Sequence, residues 1–136
     1  MKNQRVVKNH FYFIVGILCI LFAGTQTWNG LQIMLPVLHV SNIDSSTITV
    51  FTYQWYIIIA ENIVFGIALV IMAFQKNMAK IKIAAWVIVA CLLVRGVATV
   101  LITVLLGVDN VTNLLTSTIA IFALAILLLL GMRVKD

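Results

Sequence analysis

The chain has 136 residues, a formal net charge of +5, 63% hydrophobic residues and only 10% charged ones, with a mean hydropathy of +1.15. An ordinary soluble domain carries about a quarter charged residues, so this composition excludes a water-soluble fold and points to the bilayer. The length allows one compact unit with no separate soluble catalytic domain, and the expectation is an all-α integral membrane protein forming a single domain over 1–136.

Lys2, Arg5 and Lys8 precede an apolar run that begins at Phe11, the layout of a secretory signal. Leu21-Phe22-Ala23 is a poor cleavage site, and Gly16-Ile17-Leu18-Cys19 is a poor lipoprotein site, so an uncleaved first span is expected over 11–38. A helix crosses the roughly 30 Å hydrocarbon layer with about 20 residues. The first span is longer than that and contains Pro36, which predicts a tilt or kink near its far end. From His39 to Thr49 the chain is polar and carries no Lys or Arg, as in a loop. A second span follows over 49–75, then the basic connection Gln75 to Lys82 and a third span over 83–107. Only Val108-Asp109-Asn110-Val111 separates it from the fourth, over 112–132. Short connections make these neighbours antiparallel, so the expected architecture is an antiparallel bundle of four transmembrane helices.

Orientation follows from the basic residues, because Lys and Arg flanking a span stay on the cytoplasmic side. Lys2, Arg5, Lys8, Lys76, Lys80, Lys82, Arg133 and Lys135 all fall on one side of a four-span arrangement, and the opposite loops carry Asp44 and Asp109 with no base. Both termini are therefore expected in the cytoplasm. Trp28, Tyr53, Trp55 and Tyr56 gather at the outer ends of spans one and two, and Tyr12 and Trp86 towards the inner side, where amphipathic rings favour the interface. The Lys/Asn/Ile-rich wording fits a bacterial inner membrane.

The ninth basic residue, Arg95, and Glu61 are the charged side chains deep in the spans. An ionisable group near the bilayer centre costs at least about 2–3 kcal/mol unless paired or wetted. At about 1.5 Å per residue, Glu61 lies about 21 Å from the cytoplasmic end at Gln75 and Arg95 about 18 Å from the one at Ile83, so an ion pair at one level is expected. Thr25 and Ser117 fall at about 21 Å by the same count, so each span contributes a polar residue to one layer. Thr25, Asn29 and Gln32 share a face of span one, Gln54 and Glu61 a face of span two, and Arg95, Thr99 and Thr103 one of span three. Polar residues run from this layer outwards, while the inner halves are almost purely apolar.

Such stripes are expected to turn inwards. Together they predict a polar cavity open to the outside, lined by Thr25, Asn29, Gln32, Gln54, Thr99 and Ser117 and floored by Glu61 and Arg95. It would take a polar or zwitterionic small molecule. The same groups serve equally well to brace the bundle or to dock another membrane protein or a second copy of the chain.

Cys19 and Cys91 lack CxxC spacing and read as core residues. His10 and His39 fall at opposite membrane faces and cannot share a metal. Asn110-Val111-Thr112 matches a glycosylation acceptor but lies too close to the membrane for use. Gly16, Gly24, Gly30 and Gly66, with Ala68 and Ala73, suit close helix packing rather than a phosphate cradle. No nucleophile has a base at its level, so the expectation is a protein that is not an enzyme, has no cofactor or metal and does not bind nucleic acid. The leading reading is a binding or accessory module in the lipid bilayer. The alternative is a small dimeric transporter of a polar or cationic solute with Glu61 as coupling carboxylate.

Overall fold

The computed structural model describes residues 7–40, 42–106 and 111–133, and all regular structure among them is helical. Helix α1 (His10–Asn29) passes through a π-helical segment (Gly30–Met34) into α2 (Leu35–Val40), and α3 (Ser45–Ala73), α4 (Met78–Leu106) and α5 (Val111–Arg133) follow. Four stretches are long and apolar enough to cross a membrane: His10–Val40, Ser45–Ala73, Ala79–Leu105 and Thr116–Arg133. Large apolar side chains cover much of their surface, with Ile83 75% and Val104 73% exposed.

The helices start where a short polar side chain satisfies an orphan backbone N–H. Asn9 accepts from the Tyr12 N–H at 3.2 Å. Asp44 accepts from the Thr47 N–H at 3.1 Å, and Asn77 from the Lys80 N–H at 3.3 Å. These caps explain why α3 and α4 begin four and five residues earlier than the apolar runs do. Lys80 and Lys82 extend the helix past the hydrocarbon pattern because their stems are apolar and their heads reach outwards. Asn110, expected in the last loop, lies outside the described residues.

The predicted irregularity near Pro36 takes a definite form. At Gly30–Met34 the helix widens, and the Leu35 N–H bonds the Gly30 carbonyl five residues back. A proline ring collides with the carbonyl four residues before it in an α-helix, and the wider turn just ahead of Pro36 breaks that register. The helix then continues through Pro36 to Val40.

The chain divides into two compact units, Gly16–Val70 on the one hand and Met1–Val15 with Ile71–Asp136 on the other. In the first, α1 and α3 approach backbone to backbone at Gly16 and Gly66. A Cβ on Gly16 would stand 2.9 Å from the Gly66 carbonyl oxygen, and one on Gly66 would stand 2.8 Å from that of Gly16. Gly24 has open space around it. In the second, α4 packs along α5, with Gly96 against Ile121 and Phe122. Three helix ends also meet there: the Lys8 and Asn9 N–H groups donate to the Ala73 carbonyl at 2.8 and 3.2 Å, and the Asn9 amide donates to the Gly131 carbonyl at 2.8 Å. Phe13 and Phe74 stack edge-on beside them, 6.0 Å between centroids.

Candidate functional site

Within the unit Gly16–Val70, the widened turn and the first half of α3 flank a small, partly open cleft. Thr27, Gly30, Leu31, Met34, Leu35 and Leu38 form one wall, and Phe51, Thr52, Trp55, Tyr56 and Ile59 the other. Thr27, Leu31, Met34 and Leu38 follow the i, i+4, i+7, i+11 spacing of one helix face, and the π-helical segment lies within that wall. Extra-wide turns of this kind recur at functional positions in helices.

Trp55 fixes the second wall. Its indole N–H donates to the Gln26 carbonyl at 3.1 Å, and its ring occupies the space beside Gly30 where any Cβ would collide with Nε1. Only glycine admits the ring at that position. The two threonines present methyl groups rather than polar ones, since the Thr27 hydroxyl donates to the Ala23 carbonyl at 2.8 Å and the Thr52 hydroxyl to the Ile48 carbonyl at 2.8 Å. With both hydroxyls and the indole N–H engaged, the cleft is apolar almost throughout. Tyr56, in the second wall, is half-exposed.

None of the polar residues expected to line a cavity in this unit belongs to that cleft. Thr25, Asn29, Gln32 and Gln54 are exposed, and Glu61 is half-buried on α3. The Thr25 hydroxyl donates to the Phe22 carbonyl at 2.9 Å. In the other unit Arg95 and Thr99 are half-buried and Ser117 is exposed. Thr99 donates to the Arg95 carbonyl at 2.9 Å and Thr103 to the Thr99 carbonyl at 2.7 Å, while Arg95 and Ser117 each have further interactions. The threonine stripes are thus largely satisfied by their own helices. Among the described residues, no cluster of three or more His, Cys, Asp and Glu is placed to hold a metal ion.

Outside the spans, the Ser46 hydroxyl, then the Thr47 hydroxyl and N–H, hold the exposed Asp44 carboxylate down to a pKa of about 2. Asn9, buried completely, and the Gly30–Trp55 contact were not singled out by the sequence pattern. Asn9 precedes an apolar run as an N-cap does, a usable signal. Trp55 and Gln26 are 29 residues apart, and nothing local links them.

No family model, curated protein or solved structure matches this chain.

Proposed function

We propose that the chain is a multi-pass protein of a bacterial inner membrane, both termini cytoplasmic, acting as a non-enzymatic binding or accessory module. The observation that carries this reading is the partly open, mostly apolar cleft that Trp55 helps to wall, since ligand sites are concave, mostly apolar and largely pre-formed. The exposed apolar flanks support the membrane setting, because a soluble monomer rarely shows contiguous patches of that extent. Eight basic residues on one side of the four-span arrangement support the orientation. Glu61 and Arg95 enter the proposal through their matched depth in the sequence alone, as a pair that braces the bundle or floors a polar layer.

Two measurements test it. In a Cys19→Ala, Cys91→Ala background, a cysteine at Gln32 should react with an impermeant thiol reagent added outside intact cells, and one at Lys76 only after permeabilisation. The reverse pattern overturns the orientation. Native mass spectrometry after purification in mild detergent should show a small molecule or a stoichiometric protein partner retained on the chain. A folded chain that retains neither overturns the binding role.

A further inference from the structure

The hydrogen bonds around Asn9 gather three cations from distant parts of the chain. We propose that they build a headgroup site for one anionic phospholipid, with Lys8 and Arg133 on the phosphate and Lys76 beside them. The site lies within the unit Met1–Val15 with Ile71–Asp136. It rests on the membrane setting proposed above and not on the cleft.

The cations converge through backbone contacts. The Lys8 and Asn9 N–H groups donate to the Ala73 carbonyl, and the buried Asn9 amide donates to the carbonyl of Gly131, 122 positions away. Lys8, Lys76 and Arg133 thus leave the backbone within three residues of one buried cluster, and all three are exposed. The described residues of this unit include no Asp or Glu; Asp109 and Asp136 lie outside the described residues. Like charges held together repel, and with no described carboxylate in the unit to offset them they attract an anion. Retention of bases on one side of a membrane explains why the three share an end of the unit. It does not require them to meet at one cluster.

Depth and surroundings favour a lipid over a soluble phosphate. Ala73 and Arg133 are the last residues, and His10 the first, of stretches apolar enough to cross a membrane. The cluster therefore stands where hydrocarbon gives way to headgroups, the level of lipid phosphate. Ile126, Leu130 and Arg133 follow i, i+4, i+7 on one face of α5, and all three are exposed. A guanidinium at the end of an exposed apolar strip matches an amphiphile, with phosphate at the charged end and hydrocarbon along the strip. A soluble phosphate gains nothing from the strip.

The test is native mass spectrometry of the full chain in uncharged detergent, titrated with phosphatidylglycerol and, separately, with phosphatidylcholine. A basic residue near a membrane surface favours anionic lipid by about fivefold, so one phosphatidylglycerol should bind per chain at least about tenfold more tightly than phosphatidylcholine. Lys8→Gln with Arg133→Gln should weaken that binding at least about tenfold. Lys80→Gln with Lys82→Gln, which removes the same charge from the start of α4, should weaken it less than about threefold. Equal weakening by the two variants makes the attraction a diffuse field and overturns the site, as does equal binding of the two lipids. If the first variant does not fold, Lys8→Gln alone against Lys82→Gln alone decides in the same way. Glycerophosphoglycerol, the same headgroup without its chains, should not displace the lipid even in excess. Displacement would make this a site for soluble phosphate and overturn the lipid assignment. A chain that retains another small molecule or a protein partner but does not prefer phosphatidylglycerol loses this site and keeps the binding role. A chain that stays folded and monomeric without detergent overturns the membrane setting itself.

Discussion

The side-chain amide of Asn9, at the start of α1, donates to the backbone carbonyl of Gly131 in the last turn of α5 at 2.8 Å, while its carbonyl oxygen caps Tyr12. One buried side chain thereby serves an orphan donor of one helix and an orphan acceptor of another. The backbone N–H groups of Lys8 and Asn9 close a third helix end at Ala73. Gly131 makes the approach possible, since a Cβ there would stand 2.9 Å from Phe11 and from the Tyr12 ring.

Asn9→Leu should therefore destabilise the protein by about 2–4 kcal/mol, the sum of a lost cap and a buried carbonyl left unpaired. Asn9→Ser keeps a capping oxygen but lacks the amide that donates to Gly131, so its loss should be smaller. Denaturant titration in detergent micelles measures both. Parental stability in Asn9→Leu, within about 0.5 kcal/mol, would show that the clasp contributes nothing.

Close packing of α1 on α3 gives a second contrast. Gly16→Val and Gly66→Val place atoms against the facing backbone and should each cost about 1–3 kcal/mol through overpacking. Gly24→Ala meets nothing within 4 Å and should stabilise by up to about 1 kcal/mol through helix propensity. Equal responses at the three positions would contradict the backbone approach.

These residues also mark what the sequence could and could not reveal. Span number and approximate limits were legible because length and apolarity are local properties. Gly16 and Gly66 were legible as packing positions, but so was Gly24, because composition does not say which face of a helix meets a neighbour. The polar stripes were legible as stripes, not as surroundings: a threonine on an apolar helix satisfies its hydroxyl on the carbonyl four residues back, which spacing cannot distinguish from lining a cavity. The cleft was hidden, since one of its walls is held by a contact between residues 29 positions apart.

The Asp44 cap makes the start of α3 sensitive to acid. Its carboxyl has a pKa of about 2 in the folded chain, against about 3.9 in an unfolded one. A depressed carboxylate pKa stabilises the folded state above the unfolded value, and that contribution is lost as pH falls through the folded one. Amides of Thr47 and Ile48 should therefore lose hydrogen-exchange protection, after correction for intrinsic rates, between about pH 4 and pH 2. Asp44→Asn, which caps without titrating, should flatten the profile. An unchanged acid transition in that variant would assign it to another group.

The threonines of α4 discriminate between a braced helix and one lining a polar space. Thr99 and Thr103 donate to the Arg95 and Thr99 carbonyls of their own helix. Valine matches threonine in shape, and a carbonyl that loses such a back-bond keeps its helical N–H partner. Thr99→Val and Thr103→Val should each change stability by less than about 0.5 kcal/mol. A hydroxyl that bridged to another helix would cost about 1–2 kcal/mol when removed. Losses of that size would show that these side chains rotate away from their own backbone to serve a neighbour or a solute, and would return the polar stripe of α4 to a binding role.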